Sequence, residues 1–407
     1  MDRRVFLKSS LVGCSLAASP LLTPVSFAAA PWDTRLVVII LRGGMDGLDA
    51  VRPVGDKNFA SVRQRVMRED GPDLNGFYAL HPALSPLMPL WKAGELSMAQ
   101  AVSTPYRDKR SHFDGQDILE AGTPDLNGQG VRDGWLNRLL QNVPGVTAET
   151  SFAIGREALL ITKGKAPVSE WSPDARLNLS PQAEQLLGLI SEADPAIHSA
   201  MDEALRIAQL VDFAKEDAEQ AKAMAAMDTA MESAMTQTGR AGRGEHVDIA
   251  RFAALRLREE TRIATFSLGG WDTHRNQATS LATALGRLSE TILTLKAGLG
   301  SVWEKTAVLA MTEFGRTVRE NGTAGTDHGT GGAMFMAGGA VRGRQVLGTW
   351  PGLDEADLYA GRDLMPTRDV RSYAAWAMRD LMGIEKSTLE RAIFPGLEMG
   401  AQPQVIL

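Results

Sequence analysis

The sequence "RLVVIIL" at 35–41 contains a continuous apolar run from Leu36 to Leu41, and "RGG" follows it directly. An unbroken run of this kind is typical of a strand inside a parallel sheet, because both faces of such a strand are covered. Four more short apolar runs are candidate strands of the same sheet: "LSMAQAV" (96–102), "RIATFSL" (262–268), "TAVLAM" (306–311) and "AMFMAGG" (333–339).

Helical patterns separate these runs, the clearest being the amphipathic stretch 278–299. Strand–helix alternation predicts an α/β protein with a mostly parallel sheet and helices on both faces. The region of about 181–260 differs, because it is rich in Ala, Glu and Met and has few strand-like runs. It predicts a helical insertion beside the sheet. Its methionines at spacings of three and four indicate an apolar helix face rather than a soft-metal site: Met224, Met227, Met231 and Met235.

The N-terminus predicts an export signal. Arg3 and Arg4 precede an apolar stretch, and Ala28 and Ala30 form a small-residue cleavage site in "FAAAP". This pattern is typical of a twin-arginine signal peptide, predicted here over residues 1–30. We therefore expect the twin-arginine (Tat) export machinery as a partner, and a periplasmic or secreted protein. The one cysteine of the chain, Cys14, lies in this segment, so thiolate metal sites and disulfides are not expected in the mature protein.

Net charge and hydropathy argue against nucleic acid as the main partner and against a membrane-spanning helix. The 407 residues carry a formal net charge of −6, which argues against nucleic acid as the main partner. Beyond the N-terminal signal, no stretch approaches the ~20 apolar residues of a membrane-spanning helix. We expect no stable membrane span in the mature chain.

Polar side chains follow the predicted strands at the points where the strands end. In open parallel sheets, binding sites lie beyond the carboxyl ends of the strands, so these clusters should share one edge. They are Asp46 after the first run, Ser103, Arg107, Ser111 and His112 after the second, Asp272, His274 and Asn276 after the third, Glu313 and Arg316 after the fourth, and Asp327 and His328 in "GTDHGTGG" (325–332).

The chemistry of these clusters favours a metal site. Carboxylates and imidazoles are ligands for Zn, Mn, Mg or Ca, and glycines let the backbone approach an ion closely. Each residue also has a structural alternative. Asp46 fits a turn, His274 a hydrogen-bonded structural histidine, and Ser111 a helix cap in a capping box with Asp114. Their joint occurrence at strand ends favours one shared site. At the start of a helix, Ser111 is also a candidate nucleophile, with Ser103 in "STPYR" as its competitor.

Four segments carry a family resemblance: "LRGGMDGLDAVRP" (41–53), "YRDKRSHFDGQDILE" (106–120), "FSLGGWDTHRNQ" (266–277) and "TEFGRTVRENGTAGTDHGTGG" (312–332). In this order they resemble the DUF1501 family of exported bacterial proteins, placed in the alkaline phosphatase/sulfatase-like superfamily. The resemblance implies an alkaline-phosphatase-like domain over 31–407. Its central mixed sheet would lie between helices, with a bimetal centre at one edge.

The resemblance also implies roles for individual residues. Ser111 would be the nucleophile, with Ser103 and Thr104 as alternatives, and His112 would lie among the catalytic groups. Arg316 or Arg107 would neutralise the anion. Glu313 stands where the superfamily usually has Asp-His. The implied metal ligands are Asp46, Asp272, His274, Glu313, Asp327 and His328.

The implied function is a metal-dependent hydrolase of phosphate or sulfate esters, acting on a small anionic ester with divalent metal ions. The alternative is a non-catalytic protein of the same fold that binds a metal or an anion.

Overall fold

The computed structural model describes residues 30–107, 109–125, 133–173 and 244–407. The methionine stripe, all but one residue of the predicted signal and most of the predicted insertion lie outside these ranges, so those assignments stay predictions. The described strands are β1 Arg35–Arg42, β2 Val51–Arg52, β3 Ala79–Leu80, β4 Leu96–Ser103, β5 Ser151–Ile154, β6 Ser169–Trp171, β7 Ile263–Gly269, β8 Thr306–Met311, β9 Gly332–Ala337, β10 Val346–Leu347 and β11 Arg368–Asp369.

Helices and helical turns separate many of these strands. The α-helices are Gly47–Ala50, Phe59–Val62, Met88–Ala93, His112–Ala121, Trp135–Gln141, Glu245–Leu257, Gln277–Leu299, Val370–Met382 and Lys386–Thr388. Short 3₁₀ segments occur at Pro82–Leu87, Ala148–Thr150, Leu160–Thr162, Gly300–Lys305 and Glu355–Asp357, and a π-helical turn at Leu389–Ile393. Among the described residues, no helix is long and apolar enough to cross a membrane.

The main sheet has the order β10-β4-β9-β8-β1-β7-β5-β6, with β11 also pairing with β4. Every pair is parallel except the two made by β9, which is antiparallel to both β4 and β8. The predicted α/β class, with a mixed, mostly parallel sheet between helices, is therefore confirmed. Each of the five apolar runs forms a strand of this sheet.

The apolar run at 35–41 forms the central strand β1. It pairs with β7 on one side and β8 on the other, and its six apolar residues Leu36 to Leu41 have no exposed surface. Alternate residues enter two different cores, because successive strand side chains point to opposite faces. Val37, Ile39 and Leu41 pack on the face covered by helices Glu245–Leu257 and Gln277–Leu299, and Leu36, Val38 and Ile40 on the face covered by helices Trp135–Gln141 and Val370–Met382.

The reversed strand β9 positions part of the site. Because β9 runs opposite to its neighbours, its first residue, Gly332, lies at the edge where β4 and β8 end. The segment that leads into β9 therefore reaches the carboxyl edge of the sheet. This topology brings the Asp327-His328 pair to the ends of the parallel strands.

The described part of the predicted insertion, from residue 244 onward, packs into the core beside the sheet. Helix Glu245–Leu257 buries Ile249, Ala250, Phe252 and Ala253 in the same core as helix Gln277–Leu299. This part of the 181–260 region therefore covers one face of the sheet, and the assignment for the remainder stays a prediction.

Candidate metal centre

Four side chains from three strand ends converge at the carboxyl edge of the sheet. His112 begins the helix after β4, Asp272 and His274 follow β7, and His328 precedes β9. The ligand atoms of His112, Asp272 and His328 all lie within 4.8 Å of one another. The Nε2 of His274 lies beside this triad, 3.0 Å from Asp272 Oδ1 and 3.0 Å from His328 Nε2.

Close backbone approach at two glycines makes this convergence possible. Gly43, just after β1, has a φ of 126°, and a Cβ there would lie 2.6 Å from the backbone nitrogen of Asp272. A Cβ at Gly325 would lie 2.3 Å from the carbonyl carbon of His274. Only glycine tolerates such contacts, so the "GG" after β1 and the glycine-rich segment before β9 pack directly against the Asp272–His274 loop.

The start of helix His112–Ala121 places the first histidine. Ser111 caps this helix, its Oγ accepting a hydrogen bond of 3.3 Å from the backbone N–H of Asp114. The capping role expected for Ser111 is confirmed. The ring of His112 stacks on Phe314 with 5.1 Å between centroids, which restrains its orientation.

Each of the three histidines has its Nδ1 fixed by an oxygen. His112 Nδ1 lies 2.8 Å from Glu313 Oε1, His274 Nδ1 lies 3.0 Å from Asp327 Oδ1, and His328 Nδ1 lies 3.0 Å from the carbonyl oxygen of Arg110. A carbonyl oxygen can only accept, so His328 carries its proton on Nδ1. This pattern of a fixed Nδ1 is characteristic of metal-ligating histidines.

The two carboxylates that fix His112 and His274 are ionised at neutral pH. Burial raises the pKa of Glu313, but hydrogen bonds with His112 and Gln116 outweigh it, and the net pKa lies below the usual value. The hydrogen bond from Asn321 lowers the pKa of Asp327 despite partial burial. Both carboxylates therefore accept, and the Nδ1 atoms of His112 and His274 donate.

The Nε2 atoms face one another and the Asp272 carboxylate, and each is a lone-pair acceptor when its ring is neutral. Burial lowers the pKa of His328, which keeps this ring neutral. The hydrogen bond with Glu313 raises the pKa of His112, so a proton and a cation compete for its Nε2. Burial alone would raise the pKa of Asp272, yet the hydrogen bond from Arg316 helps to lower it to about 2, so its oxygen is charged. Among the described residues, no group hydrogen-bonds His112 Nε2, which is buried and 3.5 Å from Asp272 Oδ1, so a cation could join these atoms.

Glu313 holds the ring of His112 in place through a hydrogen bond to its Nδ1. It is fully buried, and its Oε1 accepts from Gly43 N at 2.9 Å and from Gln116 Nε2 at 3.2 Å as well as from His112. Its Oε2 accepts from Thr312 Oγ1 at 3.0 Å. The structure thus gives Glu313, expected as a ligand, the role of orienting His112. Asp327, also expected as a ligand, orients His274.

Arg316 does not fit the anion-binding role expected of it. Its side chain has no exposed surface, and its N–H groups are engaged by Asp272 Oδ1 at 2.6 Å and by the carbonyl oxygens of Gly43, Gly44, Trp271 and Thr326. No donor is left for a substrate. Arg316 instead anchors the loops of three strands and holds Asp272 in place.

Asp46 does not fit a metal role either. It is fully buried, its Oδ1 caps helix Gly47–Ala50, and its Oδ2 lies 2.5 Å from Arg63 Nη1. Gln277 Nε2 and Thr326 Oγ1 also donate to Oδ2, at 2.8 Å and 3.1 Å. With its oxygens occupied by cationic and neutral donors, Asp46 forms a structural ion pair. These contacts do not fit the expectation that Asp46 is the first-strand metal ligand.

The alternative hydroxyl groups are both buried. Ser103 Oγ accepts a 3.2 Å hydrogen bond from Arg107 Nη1, and Thr104 Oγ1 donates to the carbonyl oxygen of Glu313 at 3.1 Å. Arg107 also donates to the carbonyl oxygens of Thr104 and Tyr106. Ser111, half-buried at the helix start, is the more accessible of the expected nucleophiles.

His112, expected among the catalytic groups, lies with its Nε2 beside Asp272 and His328 in the group of candidate ligands. Its position directly after a predicted helix cap was the available signal, since the first turn of a helix at a strand end faces the site. The structure also adds the Arg110 carbonyl, which fixes His328 and which no side-chain pattern reveals.

The comparison with protein families agrees with the sequence resemblance. The chain is similar to the crystal structure of the lipoteichoic acid synthase LtaP from Listeria monocytogenes, with 10% sequence identity and a TM-score of 0.39, over 91% of this chain and 76% of that one. The search of curated proteins gave no match. The profile described as "Protein of unknown function (DUF1501)" matches residues 79–384, a stretch that includes all four residues of the cluster but not Asp46. The chain therefore belongs to the DUF1501 family.

Proposed function

We propose that the protein is a metal-dependent hydrolase of phosphate or sulfate esters, with one divalent cation held by His112, Asp272 and His328. The observation that carries this proposal is the convergence of imidazole Nε2 lone pairs on an ionised carboxylate, each Nδ1 being fixed by an acceptor. When these rings are neutral, a divalent cation would be shared by their lone pairs and the carboxylate, displacing the proton that Glu313 favours on His112.

The donor set fits an ion of the zinc type. Two ligands at about 2.0–2.1 Å from a tetrahedral ion are about 3.4 Å apart. The contacts of Asp272 Oδ1 with His328 Nε2 at 3.2 Å and with His112 Nε2 at 3.5 Å agree with this spacing. Nitrogen-rich sites favour zinc, whereas magnesium, calcium and manganese prefer oxygen ligands. Zinc is therefore the proposed ion among the four expected.

One ion is proposed rather than two. Among the described residues, a single group of at least three His, Asp or Glu side chains has its ligand atoms close together. Asp46, the first-strand ligand of the expected bimetal centre, is bound to Arg63. The bimetal site implied by the resemblance is therefore not carried into the proposal.

A catalytic site needs access for a substrate. Zinc enzymes keep three protein ligands and an open position, which matches a triad of His112, Asp272 and His328. The side chains of Asp272 and His112 are 48% and 24% exposed, so the triad faces solvent. When bound, a divalent cation would act there as a Lewis acid on an ester oxygen.

The protein's own residues bind the anion and supply the nucleophile in this proposal. Ser111 offers a hydroxyl beside His112, at a helix start where free N–H groups favour negative charge. Arg110, which is exposed and adjacent, replaces Arg316 and Arg107 as the cation that faces a non-bridging oxygen. No hydrogen bond engages the Arg110 guanidinium within the described part of the chain.

The proposed function includes export of the protein from the cytoplasm. The twin-arginine pattern at Arg3 and Arg4 supports a periplasmic or secreted enzyme acting on small anionic esters. Replacing both arginines with lysine should stop export, as fractionation of cells would show. Unchanged export of the variant would contradict this part of the proposal.

A panel of aryl phosphates, phosphodiesters and aryl sulfates, assayed with zinc or manganese, tests the activity. Turnover is expected on at least one ester class, and it should disappear in His328→Ala. His246→Gln is the matched control, because His246 pairs with Glu290 outside the cluster and should keep full turnover on these esters, which carry no carboxylate. Metal-dependent turnover that survives in His328→Ala would contradict the proposed site.

The second candidate is a non-catalytic metal- or anion-binding protein of the same fold. It is favoured by the occupied side chains of Arg316, Ser103 and Thr104, which leave few groups free for chemistry. Tight zinc binding without turnover on any ester of the panel would support it over the hydrolase.

A further inference from the structure

A cavity of about 450 Å³ lies on the same edge of the sheet as the cluster of His112, Asp272 and His328. Its walls come from residues 155–157 after β5, the start of helix Glu245–Leu257, the end of β7 and Arg287. The end of β7 leads directly into Asp272, so the cavity and the cluster are neighbours along one strand edge. The volume is that of a small-molecule binding site.

Most charged groups in the wall of this cavity have a protein partner. Arg156 pairs with Glu245 at 3.2 Å, and Glu157 lies 3.2 Å from Arg42, which Glu120 also contacts at 2.7 Å. His246 lies 2.8 Å from Glu290 and forms an ion pair with it only when protonated.

Arg287 is the exception. Within residues 30–107, 109–125, 133–173 and 244–407, no hydrogen bond or ion pair engages its guanidinium. The cavity therefore offers one exposed guanidinium that no described carboxylate engages, and its planar fork suits bidentate binding of a carboxylate. This charge selects an anionic group over a neutral one.

Glycines keep the cavity open opposite this charge. A Cβ built on Gly269, or on Gly155, would have no atom of a described residue within 4 Å. Within the described part of the chain, the backbone at the ends of β7 and β5 thus borders open space. A side chain introduced at Gly269 would extend into that space without displacing a neighbour, which provides a way to block the cavity.

We propose that this cavity is a recognition subsite for a carboxylate of the substrate, bound by Arg287 while the ester group lies at the metal cluster. The proposal rests on the proposed function, since it names the substrate class as an ester that carries a second, remote negative group. It adds a specificity-determining residue, Arg287, that lies outside the metal cluster.

A series of ω-phosphonoalkanoates tests the subsite, with alkylphosphonates of equal length as partners lacking the carboxylate. Phosphonates are not hydrolysed, so calorimetry on the zinc-loaded protein measures binding alone. At the chain length that spans the two sites, the carboxylate should strengthen binding at least about tenfold, as expected for a charge-assisted hydrogen bond. Arg287→Gln and Gly269→Val should each abolish this gain and leave alkylphosphonate binding unchanged.

The outcomes separate the subsite from the metal site. A carboxylate gain that persists in Arg287→Gln, or no gain at any chain length, overturns the subsite. Equal binding of alkylphosphonate by the wild type and His328→Ala overturns the proposed function instead. If no phosphonate binds, the Arg287 Nε–H resonance is titrated with glutarate in the zinc-loaded protein. A saturable shift that Gly269→Val removes supports the subsite, and no shift overturns it.

Discussion

Two groups of charged residues at the ends of neighbouring strands have opposite electrostatic balances. The Asp46 carboxylate is fully buried, and Arg63, Gln277 and Thr326 all donate to it. At the candidate metal centre, Asp272 Oδ1 lies 3.2 Å from His328 Nε2 and 3.0 Å from His274 Nε2. Among the arginines and lysines that the structure describes, only Arg316 forms an ion pair with Asp272, at 2.6 Å.

The difference shows how to separate a structural carboxylate from a ligand. Burying an ion pair stabilises a fold only when hydrogen bonds satisfy both partners, and Asp46 meets that condition. At the candidate metal centre, neutral imidazoles direct lone pairs at a carboxylate, an arrangement that a proton on His112 or a bound cation stabilises. Both groups contain an aspartate at a strand end, so the partners rather than the residue type decide the role.

The largest effect is expected from Arg63→Met. This change leaves the Asp46 charge buried without its cation, and it should lower the free energy of unfolding by about 3–5 kcal/mol. Urea denaturation of the zinc-free protein measures the loss. The double variant Asp46→Asn/Arg63→Met should recover part of it. A second zinc ion bound by Arg63→Met would instead show that Asp46 belongs to a bimetal centre.

A smaller effect is expected from Glu313→Gln. The amide no longer supplies a charged acceptor for His112 Nδ1–H, so zinc affinity should fall about 10- to 100-fold, as for other residues that orient a ligating histidine. Competition with a fluorescent chelator measures the affinity. Glu290→Gln is the matched control, because it alters the equivalent His246–carboxylate contact outside the cluster. Equal loss in both variants would contradict the orienting role.

The smallest effect is expected from Asp327→Asn. Asp327 fixes His274, which lies beside the triad, and its side chain is 52% exposed, so water can replace the acceptor. Zinc affinity should fall by less than about tenfold, the lower limit for an orienting residue. A loss as large as that of Glu313→Gln would place His274 among the ligands on equal terms with His112.

The sheet was predictable because its strands are apolar on both faces. β1, β4, β7, β8 and β9 each stand out as a short apolar run, and helix Gln277–Leu299 as a long amphipathic one. The strands β5 and β6 have only four and three residues, too few for a pattern to emerge. The reversal of β9 depends on pairing between distant segments, which apolar runs do not encode.

The site was predictable as a set of residues but not as a division of roles. Asp272, His274 and His328 were identified because polar residues at parallel strand ends share one edge. Asp46 looked the same in sequence, and only its distant partner Arg63 shows that its charge is compensated. The role of Arg316 likewise depends on carbonyl oxygens from two other loops and from Thr326 in its own loop, which have no sequence signature.

Zinc titration of the chelator-treated protein by calorimetry tests the central claim most directly. The wild type should bind about one zinc ion per chain, and His112→Ala, Asp272→Ala and His328→Ala should each lose that tight binding while retaining the circular dichroism of the folded protein. Full zinc binding by these three variants, or no zinc binding by the wild type, would contradict the assignment of the cluster as a metal centre.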